Sequence, residues 1–170
     1  MKLSSKEANK LLKKLNEDYQ LMLNEENENC TFIASTTENV EDCRPKYNYV
    51  ETQKLLCDLE ARIRKLKHAI NVFNTTTVID DFDITIDEAL VLMPQLTKKK
   101  EKLSILRKNK ERCRVKNRYG DYVGERIDYI YVNYNIDEVK KDYDDIVNEL
   151  DKLQISIDKA NVSGRIEVDI

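Results

Sequence analysis

TQKLLCDLEARIRKLKHAINVF, residues 52–73, decides the fold. Thr52, Leu56, Leu59, Ile63, Leu66, Ile70 and Phe73 recur in unbroken steps of four and three, which puts them in one stripe along an α-helix and makes that stripe a coiled-coil seam. A buried Leu or Ile on the seam contributes about 1.5–3 kcal/mol, but only when another helix covers it. An isolated helix of this length is marginal in water, so the segment demands partners.

Working outward, Ser4 and Glu7 form a capping-box pattern. Ala8, Leu11, Leu12, Leu15, Tyr19, Met22 and Leu23 follow it at helical spacing, predicting a helix that frays near Asn27. Cys30 to Ala34 reads as a short strand, and a polar connection then reaches Arg44 and Pro45. Downstream of the seam, Asn74, Thr75, Thr76 and Thr77 stop the helix, because side chains that bond to the local backbone favour turns. Val78 and Ile79 read as a strand, and Asp80, Asp81 and Asp83 lead into a second capping box, Thr85 with Glu88. The next helix is expected from about Ile86 to about Arg112; Pro94 must kink it or open a new segment, since its ring breaks the hydrogen-bond ladder.

Over about 113–135 the period changes to alternation, with Gly120 and Gly124 as turn points, which reads as a β-hairpin insertion. Tyr129, Tyr131 and Asn133 face opposite to Ile130 and Val132. Asn135 or Asp137 caps a last helix with the seam Val139, Tyr143, Ile146, Leu150, Leu153, Ile157 and Ala160, and Gly164 to Val168 closes the chain as a strand. The expected fold is therefore mainly α: an antiparallel, coiled-coil-like bundle of about four long helices, with short β-strands and a hairpin at the helix ends, in a single domain over residues 1–170. Charged residues at 36% fit this, since each narrow apolar stripe leaves a wide solvated helix face.

Placing Asn74 over Asn161 also places Ile63 on Leu150, Leu66 on Leu153, Ile70 on Ile157 and Thr76 on Ser163. Any two heptad helices can be aligned in this way, so the sequence gives no ground for a duplication.

The first ten residues are polar and mixed in charge, without the apolar run of a signal peptide or membrane span. A cytoplasmic location without a membrane partner is expected. Cys30, Cys43, Cys57 and Cys113 have no Cys-x-x-Cys spacing, and His68 is the single histidine, so neither a zinc site nor a disulfide framework is expected.

The run from Leu59 to Phe73 into Asn74, Thr75 and Thr76, the lead-in Asp83, Ile84, Thr85 and Ile86, and the late Asn161 resemble a bacterial family of small helical proteins often labelled septicolysin. The resemblance covers Arg44 to about Ser163. It implies a long-helix fold that assembles as a homo-oligomer, and it implies no established activity. Nothing in the residues points to secretion or to a membrane-inserting hairpin, which a toxin would need.

No catalytic, metal-binding or phosphate-loop signature stands out, and no cofactor is expected. His68 sits one position off the seam on a helix flank, with no orienting partner in sight. Asp80, Asp81, Asp83, Asp87 and Glu88 lack the glycine turn and distal glutamate of a calcium loop, and carboxylates at a helix start are favoured by its dipole anyway. The most suggestive feature is the run from Lys98 to Arg118, eleven basic residues against Glu101 and Glu111 in a chain of net charge −3. Candidate ligand-binding residues are Lys108, Lys110, Arg112, Arg114, Lys116, Arg118, Tyr119 and Tyr122, with Tyr129, Tyr131 and Tyr134 able to stack on bases. Asn74, Thr75 and Thr76 add helix-end donors that could bind a small polar ligand. The structural alternative is that the basic helix pairs with the acidic helix from Asp137 to Asp151, within or between protomers.

Two functions follow. The first is a non-enzymatic, homo-oligomeric helical assembly protein whose partner is itself. The second is a binding module for a phosphate-bearing ligand, nucleic acid or nucleotide, through residues 98–118 and the nearby tyrosines. An enzyme with an intersubunit site at Asn74 to Thr76 or at the acidic loop is the least supported reading.

Overall fold

Both capping boxes form. Ser4 Oγ accepts from the Glu7 N–H, and the Glu7 carboxylate accepts from the Ser4 N–H at 2.8 Å; Thr85 and Glu88 repeat the arrangement. From these starts the chain, a computed structural model describing residues 1–114 and 128–170, runs β1 (Lys2–Leu3), α1 (Ser5–Asn29), α2 (Val40–Cys43), α3 (Tyr49–Thr76), β2 (Val78–Ile79), β3 (Ile84–Thr85), α4 (Ile86–Leu106), β4 (Arg112–Arg114), β5 (Tyr129–Tyr131), α5 (Ile136–Ser163) and β6 (Ile166–Glu167). Asn48 caps α3 and Asn135 caps α5, each side-chain oxygen accepting two backbone N–H bonds.

The long helices pair antiparallel. Tyr19 Oη donates to Glu60 and Gln53 Nε2 donates to Glu26, so late residues of α1 meet early residues of α3. In the same way α4 packs along α5, while α3 with α4 and α1 with α5 touch less extensively. The seam of residues 52–73 turns inward, with Leu56, Leu66, Ile70 and Phe73 buried; on α5, Val139, Ile146, Leu153 and Ile157 are buried. A mainly helical bundle with short antiparallel strand pairs is thus what the seams build.

The strand pairs join the two ends of the chain and the two helical hairpins. β1 pairs with β6, setting Leu3 opposite Ile166, and β2 pairs with β3, setting Ile79 opposite Ile84. Those two pairs are equivalent. Shifting α3 by the spacing that carries Asn74 onto Asn161 brings Tyr49–Thr76 onto Ile136–Ser163, Asn48 onto Asn135 and Ile79 onto Ile166. Aligning the two capping boxes brings Leu3 onto Ile84, Ala8 onto Ala89 and Leu15 onto Leu96. Every one of these core pairs is matched in burial: Ala8 and Ala89, and Leu66 and Leu153, have no exposure at all. The chain is therefore a repeat of one β-α-α-β unit, with the terminal strands of each half exchanged onto the other. Alignment of the two seams alone gave no ground for this; the strand pairing and the matched burial supply it.

Four expectations are corrected. Cys30 to Ala34 forms no strand, because no edge lies beside it, and Ile33 is 96% exposed. The polar connection after it holds the short α2, capped by Asn39. The polar N-terminus, which carries no strand pattern, forms β1; its only apolar residue, Leu3, suffices once β6 supplies a partner. α4 passes through Pro94 without a break but stops at Leu106, short of Arg112, because the chain tightens at Lys108 and Asn109 and must be extended by Arg112 to pair with β5.

Candidate functional site

The basic run lies on α4 and on the ribbon that follows it, at the end of the bundle away from the chain termini. Tyr134 fixes the base of the ribbon: its Oη donates to the Leu106 carbonyl at 2.8 Å and accepts from Asn109 Nδ2 at 2.7 Å, which satisfies a carbonyl orphaned by the end of α4. Tyr134 is thus an anchor and not a free stacking ring. Arg107 stacks on Tyr143 of α5 at 3.6 Å from the ring centroid, holding the last turn of α4 against its neighbour.

In the ribbon, Arg112 stands opposite Tyr131 and Arg114 opposite Tyr129, so these four side chains share one face; Cys113 and Ile130 take the other. Both faces are open to solvent. The Arg112 guanidinium lies 4.6 Å from the Tyr129 ring centroid, and the Tyr129 and Tyr131 rings are 6.3 Å apart at 51°. Arginines and tilted rings therefore line a single exposed surface, with Tyr131 64% exposed. Lys108 and Lys110 are exposed in the connection leading to it. Lys116, Arg118, Tyr119 and Tyr122, together with the turn glycines Gly120 and Gly124, lie outside the described residues.

Among the described residues no ion pair joins the basic run to α5. Among the described residues, the ion pairs are Lys2 with Glu167, Lys13 with Glu17, Arg44 with Glu41 and Lys140 with Asp137, none of which involves the cations from Lys98 to Arg114.

Asn74, Thr75 and Thr76 belong elsewhere. They form the last turn of α3, at the opposite end of α4 from the ribbon, about 30 Å away along a helix of that length. Thr75 Oγ1 donates to the Asn71 carbonyl at 3.0 Å and Thr76 Oγ1 to the Val72 carbonyl at 2.7 Å, so their hydroxyl protons are already engaged on their own helix. The structure does not bring them together with the basic residues.

The acidic loop is a tight turn, with the Phe82 and Asp83 N–H groups donating to the Ile79 carbonyl and Asp83 at φ 52°. Glu88 is committed to its capping box, which holds its carboxyl below the usual glutamate range. Among the described residues no group of three or more His, Cys, Asp or Glu side chains is placed to hold a metal ion. His68 is exposed on the flank of α3. The buried Ser156 donates to Asp81 Oδ2 at 2.6 Å, where the matching positions in the other half are Ala69 and Val168.

Sequence reading missed a second surface, at the tip where α1 hands over to α3. Met22, Glu25, Glu26, Lys46, Tyr47, Glu51 and Leu55 line a hollow of about 490 Å³ there. Glu26 accepts from both Tyr47 Oη and Gln53 Nε2 at 2.7 Å, and that bond pushes the Tyr47 phenol up to about 12. The acidic residues were legible, but their convergence depends on how the helices dock.

No family model and no curated protein matches the chain. Among solved structures, one from Corynebacterium diphtheriae, described as a functionally unknown conserved protein, has a TM-score of 0.59 at 19% identity, covering 98% of this chain and 100% of its own. The fold has a solved counterpart. At that identity the likeness concerns the fold alone. Among the described residues, no helix is long and apolar enough to cross a membrane.

Proposed function

We propose that this chain is a non-enzymatic binding module that takes the phosphate backbone of single-stranded nucleic acid on its basic ribbon. The observation that carries this reading is the absence of any carboxylate partner, among the described residues, for the cations from Lys98 to Arg114. A surface of unpaired cations gains affinity by releasing the counterions of a polyanion. Tyr129 and Tyr131 add rings on which unpaired bases stack, and a nucleotide would engage the same chemistry with fewer contacts.

Fluorescence anisotropy with labelled single-stranded RNA, single-stranded DNA and a nucleotide tests it. Four neutralised phosphates give a salt slope of about −2.8, so binding weakens about fifty-fold between 50 and 200 mM salt. R112Q/R114Q should weaken binding and reduce that slope by about 1.4. Binding that ignores salt, or no binding at low salt, removes the reading.

A second reading is self-association, with which the likeness to septicolysin-labelled proteins agrees. The supporting observation is that Ile33, Val50, Leu55, Ile105 and Ile130, all toward the far end of the bundle, are exposed. Light scattering at micromolar concentration decides it, a single monomeric species being the contrary result.

A further inference from the structure

The repeat places its two helix-to-helix connections in equivalent settings, and the sequence gives them opposite charge. From residue 17 to residue 60, across the α1–α3 connection, eleven carboxylates stand against three cations, whereas the matching stretch from residue 98 to residue 147 holds fourteen cations against ten carboxylates, its positive charge gathered before residue 119. Among the described residues Glu17 pairs with Lys13 and Glu41 with Arg44, and no ion pair joins the acidic group to the basic one. Each tip also exposes apolar side chains: Val50 and Leu55 on the acidic side, Ile105 and Ile130 on the basic side.

We propose that the acidic tip of one copy docks on the ribbon of a second copy, head to tail, and that this contact and single-stranded nucleic acid exclude each other. The docking names the surfaces for the self-association read above and rests on that second reading, while the exclusion rests on the nucleic-acid reading. The hollow at the acidic tip has Met22 and Leu55 among its walls, with Glu25 and Glu51 beside them. Glu26 is already occupied by Tyr47 and Gln53, which leaves Glu25 and Glu51 to meet Arg112 and Arg114. Contact of like tips sets charges of one sign against each other, which costs affinity, so a symmetric tip-to-tip dimer is disfavoured. A head-to-tail contact joins different surfaces and leaves one of each kind free, so it propagates unless it closes into a ring.

The test uses the full chain and two exposed-charge variants, E25Q/E28Q/E51Q and R112Q/R114Q, with circular dichroism to establish that each is folded. Wild type should associate at micromolar concentration and dissociate in 0.5 M salt, as judged by sedimentation. Each variant alone should associate roughly tenfold more weakly, the charges having been removed from one side of the contact. Mixed together, the two variants should form a one-to-one dimer, because each retains the surface the other lacks. RNA should bind E25Q/E28Q/E51Q more tightly than wild type at micromolar protein, and that advantage should vanish on dilution below the association range. Association that survives both sets of substitutions, or a mixture that forms no dimer, overturns the proposal even if RNA binds. A complementing dimer in a protein that ignores RNA upholds the docking and defeats the exclusion together with the nucleic-acid reading.

Discussion

Gly164 follows α5 where the chain turns back to form β6, and a Cβ built there would fall 2.4 Å from the Phe73 ring. Its φ of −70° suits any residue, so glycine is required by the close approach and not by the backbone. Phe73 is a buried seam residue, and G164A should cost about 1–3 kcal/mol as overpacking. Urea unfolding measures it, and a cost within error of zero would mean that the ring moves aside freely. Leu66 and Leu153 occupy matching positions in the two halves, both without exposure. L66A and L153A should each cost about 2–5 kcal/mol, and by similar amounts. A large inequality between them would contradict the equivalence of the two halves. Ser156 marks a place where that equivalence fails: a buried hydroxyl bonded to Asp81 stands where the other half has Ala69 and Val168. The alternation of leucines foretold the first two residues, whereas nothing local connects Ser156 to Asp81.

At the scale of elements, the helix starts govern how the fold responds to acid. Glu7 and Glu88 accept backbone and hydroxyl bonds from Ser4 and Thr85, and those bonds lower both carboxyl pKa values from 4.5. The folded pKa thus lies below the unfolded one. The stabilisation is present in full above the unfolded value and is lost as pH falls through the folded value. The thermal midpoint should therefore drop as pH goes from 6 to 3, and E7Q/E88Q should show a shallower drop. Equal pH profiles for the two proteins would rule out the caps as the titrating groups. Glu167 is lowered by its bond to Lys2 and titrates in the same direction, but both side chains are well exposed, so that pair adds little. The ribbon is the element least able to stand alone, since two paired strands with both faces open are marginal in water. Tyr134 at its base and Arg107 on Tyr143 tie its approach to the bundle, which fixes where Arg112 and Arg114 emerge.

At the scale of the molecule, each half buries its seam partly against the other, and each strand pair of the repeat spans both halves. Neither half is complete by itself, so the chain should unfold in one transition. Far-ultraviolet circular dichroism and tyrosine fluorescence should then give coincident urea curves; separated midpoints would show that the halves melt independently. The strongest burial gathers at the end holding the termini and the turn at residues 80–83, with Ala8, Leu66, Ile79, Ile86, Ala89, Leu153 and Ile166 at 2% exposure or less. The opposite end is left to the two differing connections, one acidic and one carrying the basic ribbon, and there the repeat has diverged in charge.

What the sequence determined by itself is what neighbours along the chain decide. The steps of four and three set the seams from Thr52 to Phe73 and from Val139 to Ala160, Ser4 and Thr85 set the helix starts, and the alternation near Tyr129 set a ribbon, because each depends on residues within a turn or two of one another. Only the tertiary structure decided that β1 lies beside β6, that the two halves are equivalent, and that Asn74 to Thr76 stand a helix length away from Arg112. Those relations join residues far apart in the chain. They rest on which apolar faces exclude water together, and no local pattern records that choice.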